Sequence, residues 1–428
     1  MERNRRTVWG WVLYDWANSA FATTIMAAVL PTFYSTVAAA GLPPNRASSY
    51  WGYTNTVAML IIAVSAPVLG AIADYLNAKK KFLAVFASVG ILGTLLLYTI
   101  HTGQWLKASL LYILGRLGFA SANIFYDALL PHIAPREEID RISSLGYAIG
   151  YLGGGLLLSV NLAMIMQPGW FGLPDSITAV RVSFLTVALW WALFSLPLFR
   201  WVPEPVGSGQ VLPRVNPVRE GVRRILTTLR EIRKYRQAFR FLLAFWLYND
   251  GIGTIIVMAV IFGVEIGIGQ NHLIGAILAV QFIGMPFALL FGALAKRIGA
   301  KRSILLGLIV YTGIAVGGYF MHSALHFWML AVAVAMVQGG TQALSRSLYG
   351  KLIPADRSAE FYGFYDVSQK FSGILGPAVF GVMSELTGNS RAGIFSLIIF
   401  FIGGALLLLT VQEPWHQERL TPHPDGSS

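Results

Sequence analysis

The sequence predicts an all-α polytopic membrane protein with twelve transmembrane helices in two six-helix, pseudo-symmetric bundles. Hydrophobic residues make up 55% of the 428-residue chain and charged residues only 12%, too few to cover the surface of a soluble protein of this length. Apolar runs of roughly 20 residues, long enough to cross ~30 Å of hydrocarbon, recur throughout. Residues 70–80 and 292–302 are also nearly the same sequence, and each segment joins a long apolar run to a basic patch.

Twelve apolar segments divide the chain into two halves. We expect an N-terminal six-helix bundle over 1–201, a polar cytoplasmic loop over 202–238, and a C-terminal six-helix bundle with a short tail over 239–428. No small-residue cleavage site follows the basic N-terminus, so the first span is expected to be retained. The expected spans are 8–38, 49–74, 81–101, 106–130, 142–166, 179–201, 239–264, 272–295, 303–321, 325–350, 360–386 and 393–412.

The positions of Lys and Arg predict the orientation. Most of them fall in the N-terminal segment, the central loop and the loops on one side of the spans, whereas Arg46, Lys107, Arg181 and Arg391 fall on the other side. Cytoplasmic loops carry the excess of positive charge in membrane proteins. We therefore expect both termini in the cytoplasm, and the plasma (inner) membrane if the protein is bacterial. These loops account for the formal charge of +12, so no nucleic-acid partner is expected.

The duplication extends beyond the two basic loops. Residues 130–135 align with 351–354, and the ends of the sixth and twelfth spans, 202–205 and 411–414, share a Val-x-Glu-Pro pattern. Two similar halves with matched ends form a parallel repeat, which is typical of transporters whose halves rock about a central site.

The loop after the second span and several other segments carry a family resemblance. Gly70 and Asp74 fit a Gly-x-x-x-Asp motif, from which the first copy then departs at Tyr75 and Asn77, and Lys296 replaces the Asp in the second copy. The other segments are 14–21, 115–118, 125–127, 146–155, 247–251 and 338–347. Together they resemble the major facilitator superfamily and, within it, the autophagy-related vacuolar amino-acid effluxers and their bacterial relatives. The resemblance implies the major facilitator fold and secondary transport, and it suggests efflux of amino acids.

Polar residues concentrate on the first, fourth, seventh and tenth spans, which line the cavity in the superfamily fold. In the fourth span, Arg116, Asn123 and Asp127 share one helical face. Arg116 falls roughly 14 Å from one end, near the midplane. A charge at this depth is costly and needs a partner. Arg116 is therefore either a receptor for an anionic group such as a carboxylate, or half of a structural ion pair with Asp15 or Asp127.

The first and seventh spans carry the two carboxylates that are candidates for proton coupling. Asp15 is a candidate for proton coupling or for pairing with Arg116, and the alternative is a helix-end carboxylate that meets water. Asp250 falls near the midplane and is a candidate for both substrate binding and proton coupling, with a buried structural carboxylate as the alternative. Asn18 and Asn249, together with Asn123 of the fourth span, are further substrate-binding candidates. Trp11 is expected in the aromatic belt at the membrane interface.

The tenth span supplies neutral hydrogen-bonding groups. Gln338 and Gln342 lie one turn apart and are candidates for substrate binding, although contact between helices explains them equally well. Arg116 and Asp250, in opposite halves, would hold the two ends of a zwitterion such as an amino acid.

Repeat-equivalent positions carry opposite charges at the predicted cytoplasmic rim. Asp127 corresponds to Arg346, and Asp74 corresponds to Lys296. A pseudo-twofold axis would bring acid towards base, so these four residues are the predicted cytoplasmic gate.

No motif in the sequence indicates another class of function. The sequence shows no phosphate-binding loop, no metal-ligand cluster and no nucleophile with its base, and it has no cysteine. We therefore expect no enzyme activity, catalytic residue, cofactor or metal. The predicted function is secondary active transport of a small solute, with amino acids first, by alternating access. A drug, sugar or osmolyte transporter and a non-transporting membrane sensor or scaffold are the alternatives. The expected partners are the lipid bilayer, a small-molecule substrate and a coupling proton if transport is proton-driven, and a monomer is compatible with the sequence.

Overall fold

A computed structural model describes residues 2–205, 223, 226–228, 230, 234–265, 267–268 and 270–413. In the N-terminal half the helical rods are α1 (Glu2–Ala20, continued by Phe21–Ala28, Leu30–Phe33 and Tyr34–Ala38), α2 (Pro44–Tyr75), α3 (Lys79–Leu96), α4 (Trp105–Ile133), α5 (Ile139–Met166) and α6 (Ser176–Trp201). In the C-terminal half they are α7 (Arg236–Glu265), α8 (Gln270–Ile298), α9 (Ala300–Tyr319), α10 (Ala324–Leu352), α11 (Ser358–Phe371, then Leu375–Thr387) and α12 (Ser390–Ser396, then Ile398–Leu409).

Most of these rods meet the length and composition of a membrane span. Among the described residues, nine helices are long and apolar enough, and α1, which bends by 40° between its two parts, makes a tenth. The rod α11 is divided into pieces of 14 and 13 residues, and each piece alone is too short to cross a bilayer. The all-α polytopic fold is therefore confirmed, and twelve rods agree with the expected number of spans. The expected domain boundaries stay predictions, because most of 202–238 and the tail 414–428 lie outside the described residues.

The two basic loops of the repeat share one backbone geometry. Asn77 has a φ of 49° and Gly299 a φ of 90°, at equivalent positions between two helices. Left-handed backbone favours glycine, but asparagine tolerates it better than most residues. The departure from glycine at Asn77 therefore preserves the turn. We call the end of the rods that carries these loops the basic end.

Two helix pairs join the halves through the glycines that precede these loops. Gly70 of α2 packs against the backbone at Ala359 of α11, and Gly292 of α8 packs against Ser144 of α5, so closely that a Cβ at either glycine would clash. Small residues let helix backbones approach in this way inside a membrane. The repeated Gly thus has the same packing role in both halves.

At the basic end, the Val-x-Glu-Pro segment of each half forms hydrogen bonds with the start of the third helix of the same half. Glu204 accepts a hydrogen bond from the backbone N–H of Lys80 at 2.8 Å, while Lys80 Nζ donates to the carbonyl of Val202 at 2.7 Å. The second half has contacts of the same kind, from Ala300 N to Glu413 Oε1 at 3.1 Å and from Lys301 Nζ to Val411 O at 2.7 Å. Each set, which we call an end clasp, caps the start of the half's third helix and the end of its sixth.

Candidate functional site

A cavity of about 900 Å³ lies between the two halves. Its lining comes from α1, α4 and α5 on one side and mainly from α7, α8 and α10 on the other. Towards the end opposite the basic end the walls are apolar and include Met26, Met258 and Phe327. The polar residues lie deeper, so the cavity combines an apolar approach with a polar interior.

Side-chain amides occupy the middle of the cavity. Asn18 Nδ2 donates to Asn123 Oδ1 at 2.6 Å, which joins α1 to α4. Tyr151 lies within 3.5 Å of Gln342 Oε1 across the two halves, and Gln338 lines the same wall of α10. The structure thus brings four of the predicted substrate-binding residues to one cavity. Their role in binding stays a prediction.

The cavity ends towards the basic end on a cluster of three charges. Arg346 Nη1 lies 3.2 Å from Asp15 Oδ2 and 3.2 Å from Asp127 Oδ1. The side chain of Arg346 is 3% exposed, and those of Asp15 and Asp127 are 14% and 17% exposed. We call these residues the floor cluster. It connects α1 and α4 of one half to α10 of the other, with two carboxylates to one guanidinium.

Further groups fix the Arg346 guanidinium in place. Its Nε donates to Ser143 Oγ and its Nη2 to the Ser143 carbonyl, both at 2.9 Å. The guanidinium carbon lies 4.4 Å from the ring centre of Tyr147 and 4.8 Å from that of Trp11. Such cation–π contacts strengthen when the cation is desolvated. Trp11 is fully buried, so its expected place in the interfacial belt is wrong.

The sequence did indicate that Trp11 lies on the same helical face as Asp15. It lies four residues before Asp15, and residues at that spacing share a helical face. Tyr126, which neighbours Asp127 on α4, donates to Asp15 Oδ2 at 2.8 Å. Ser143 and Tyr147 of α5 carried no comparable signal, because only the packing of α5 against α10 brings them to Arg346.

The structure corrects the partner expected for Asp74. Asp74 lies 2.6 Å from Lys79 Nζ, and its two oxygens accept the backbone N–H groups of Ala359 at 3.2 Å and Glu360 at 2.7 Å. Lys296 is exposed instead. The reason is that the first N–H groups of α11 lack partners within the helix and attract a carboxylate. Asp74 still connects the halves, but through a helix terminus.

A further ion pair connects the halves at the basic end. Lys351 Nζ of α10 lies 2.6 Å from Asp140 Oδ2 of α5. The other oxygen of Asp140 accepts the hydroxyl of Ser347 at 2.7 Å. Neither charged residue was among the predicted gate residues, because their positions in the repeat show no charge inversion.

Asp250 has a different environment from the one expected. It is 1% exposed, does not line the cavity, and accepts the backbone N–H groups of Leu375 at 3.1 Å and Gly376 at 2.9 Å. These two N–H groups begin the second piece of α11, so Asp250 caps a helix that starts inside the bundle. Asn249 Nδ2 donates to Ser372 Oγ at 2.6 Å, at the same interruption.

Arg116 also lies outside the described cavity lining. It is 8% exposed, and its Nη1 donates to the hydroxyl of Tyr112 at 2.9 Å. Asp15 and Asp127 contact Arg346 instead, which removes the structural ion pair considered for Arg116. The structure therefore corrects the expectation that Arg116 and Asp250 face each other across the cavity. A role for Arg116, Asn249 or Asp250 in substrate binding stays a prediction.

The part of the chain that the structure describes has no cluster suited to a metal ion. No group of three or more His, Asp or Glu residues there is placed to hold a metal ion.

The chain is similar to known proteins over most of its length. Residues 44–415 match the model of a family described as vacuole effluxer Atg22 like. The uncharacterized MFS-type transporter YxiO of Bacillus subtilis is 38% identical over 415 residues, which cover 96% of each chain. Autophagy-related protein 22-2 of Aspergillus fumigatus is 23% identical, with 91% of this chain and 77% of the relative covered.

Solved structures, among them one of a major facilitator protein, share the fold. The proton:xylose symporter XylE has a TM-score of 0.67 at 15% identity, over 96% of this chain and 95% of that chain. A bacterial homologue of the iron transporter ferroportin, in an outward-facing state, has a TM-score of 0.65 at 14% identity, over 96% and 99%. At these identities the likeness shows the arrangement of the helices.

Proposed function

The chain belongs to the Atg22-like family of the major facilitator superfamily, and from this membership we propose that it is a secondary active transporter of a small solute, with amino acids as the leading substrate. It works by alternating access, and the suggested direction is efflux. The observation that carries the proposal is the cavity between the halves that ends on the floor cluster. A scaffold would not need two carboxylates and a guanidinium inside a membrane bundle, where charges are costly.

The contacts at the basic end support a closed gate. The floor cluster, the Lys351–Asp140 pair and the Asp74 cap on α11 each connect the N-terminal half to the C-terminal half. By the excess of Lys and Arg, we propose that the basic end and both termini face the cytoplasm. The structure then corresponds to an outward-facing state of a plasma-membrane protein. All three contacts must separate before the cavity opens to the other side.

The cavity suits a small amphipathic solute. Asn18, Asn123 and the two glutamines of α10 offer both donors and acceptors, and the apolar approach accommodates an aliphatic or aromatic side chain. A zwitterionic amino acid fits this combination. The ammonium group would meet the carboxylates of the floor cluster, which outnumber its guanidinium.

The floor cluster is also the proposed place of proton coupling. Protonation of one carboxylate would leave a single ion pair across the halves and weaken the closed gate. Of the two proton-coupling candidates, Asp15 is favoured over Asp250 because it lines the cavity and contacts Arg346 directly. Asp250 is less accessible, since it caps α11 away from the cavity.

A binding screen followed by flux measurement tests the proposal. The thermal unfolding midpoint of the purified protein is measured with amino acids, sugars and organic cations, because a ligand of the folded state raises it. We expect an amino acid to raise it and to cross the membrane of proteoliposomes faster when a pH gradient is imposed. Gln342→Ala should lose the response, and Gln167→Ala, an exposed glutamine, should keep it. Stabilisation by sugars alone would overturn the assignment of amino acids as the substrate. Binding without flux would overturn the assignment of transport.

A further inference from the structure

Arg116 is a buried guanidinium without a counter-ion in the described part of the chain. It lies inside the apolar span Trp105–Ile133 and is 8% exposed. An arginine at the centre of a membrane helix is costly and needs a partner. Arg346, the other deeply buried arginine in the spans, has two carboxylates. Arg116 has a tyrosine hydroxyl instead, so no carboxylate among the described residues compensates its charge.

The hydrogen bonds of Arg116 leave one edge of the guanidinium available. Nη1 is committed to the Tyr112 hydroxyl, which in turn donates to Asn55 Oδ1 at 3.0 Å. Nε is buried and has no acceptor among the described residues. The Nε–Nη2 edge is the planar fork that binds a carboxylate through two parallel hydrogen bonds. The Tyr112–Asn55 chain therefore orients Arg116 while keeping its fork free.

Arg116 shares a helical face of α4 with two residues that line the cavity. Phe119 and Asn123, one and two turns further along α4, both line the cavity. Phe119 stacks on Phe21, with ring centres 5.0 Å apart. Phe21 begins the π-helical segment Phe21–Ala28 of α1, and π-helical turns inside α-helices are frequent at functional sites. This segment is thus the part of α1 whose rearrangement would connect Arg116 to the cavity.

We propose that Arg116 anchors an anion site in the N-terminal half, separate from the floor cluster, that takes a small monovalent anion. The anion is either the carboxylate of a solute or a halide. The anion site itself is independent of transport, but its use for the substrate carboxylate rests on the proposed function. In that case the substrate is held by its carboxylate at Arg116 and by polar groups deeper in the cavity.

Anion-dependent unfolding tests the site directly. The thermal midpoint of the purified protein is measured at constant sodium concentration while sodium gluconate, whose anion is much larger, is replaced by sodium acetate or sodium chloride. The wild type should show a saturable rise in the midpoint. Arg116→Gln should show none. Arg181→Gln is the matched control, because Arg181 also lies in a span and donates to a backbone carbonyl, that of Tyr98, at 2.7 Å.

A second variant keeps the test decisive if Arg116→Gln fails to fold. Arg116→Lys retains the charge but loses the fork, so the half-saturating acetate concentration should rise at least tenfold. A response to acetate identifies a carboxylate site, and a response to chloride alone identifies a halide site. A flat response in the wild type, or an equal response in Arg116→Gln, overturns the inference. Amino-acid flux that persists with a flat anion response overturns this inference alone and leaves the proposed function standing.

Discussion

Removing Arg346 should open the basic end of the molecule. In the closed arrangement, Asp15 and Asp127 both accept from the same nitrogen of Arg346 at 3.2 Å. The substitution Arg346→Ala leaves these two carboxylates side by side with no cation. Loss of one partner from a buried ion pair costs about 3–5 kcal/mol. The carboxylates are 14% and 17% exposed and meet cavity water, so we use the lower end, about 3 kcal/mol. At 1.4 kcal/mol for each factor of ten, the ratio of closed to open molecules falls roughly 100-fold.

Loss of either carboxylate alone should open the basic end less than loss of Arg346. Asp127→Asn leaves the Arg346–Asp15 pair intact and removes one charged hydrogen bond, worth about 1.5–3 kcal/mol. The expected order of effect is therefore Arg346→Ala, then Asp127→Asn or Asp15→Asn. The double reversal Asp127→Arg with Arg346→Asp should recover only part of the closed state, because the carboxylate placed at position 346 would face Asp15. Adding Asp15→Asn should improve the recovery.

Cysteine accessibility measures this equilibrium, since the chain has no cysteine of its own. Ile139 is 2% exposed and packs near Gly350 across the two halves at the basic end. Ile139→Cys should react slowly with a maleimide, and faster once Arg346→Ala is added. Glu137→Cys, at an exposed position, controls for reagent access, and Arg302→Ala controls for loss of an exposed arginine. Equal labelling rates with and without Arg346→Ala would refute the reasoning that the floor cluster holds this end closed.

Two further predictions concern helix capping and orientation. Asp250→Ala removes the cap from the second piece of α11 and should cost about 2–3 kcal/mol of stability, whereas Asp175→Ala, which removes an exposed cap on Thr178, should cost about 1 kcal/mol. Thermal unfolding midpoints compare the two, and equal losses would contradict the special role of the buried cap. Reporters fused at Ser208 and Ser428 should both read cytoplasmic, while one at Asn45 should not. An external reading at Ser208 would reject the proposed orientation.

Sequence periodicity and the repeat were sufficient to predict part of the floor cluster. Asp127 and Arg346 occupy equivalent positions in a parallel repeat, and such positions meet near the pseudo-twofold axis when one end is closed. Their opposite charges therefore predicted proximity without knowledge of any contact. The same argument did not apply to Asp74, because its partners are backbone N–H groups of α11, which no side-chain pattern encodes.

The depth of a residue was easier to predict than its surroundings. Helical rise places Asp250 and Arg116 well inside the membrane from the sequence alone. The direction in which Asp250 faces depends on the interruption of α11, where Gly373, Gly376 and Pro377 offered a signal that also suits ordinary close packing. Asp15 was predicted as a candidate for proton coupling or for pairing with Arg116, but the arginine beside it is Arg346, from the other half of the chain.

The end clasps have a consequence for the way the protein is made. Each clasp caps the third and sixth helices of one half with groups from that half only. The first six rods can therefore finish their mutual packing while the ribosome is still producing the seventh, in keeping with the tendency of N-terminal units to fold first during synthesis. Two halves translated as separate chains contain the same clasps, so we expect each half to close its own basic end without the other.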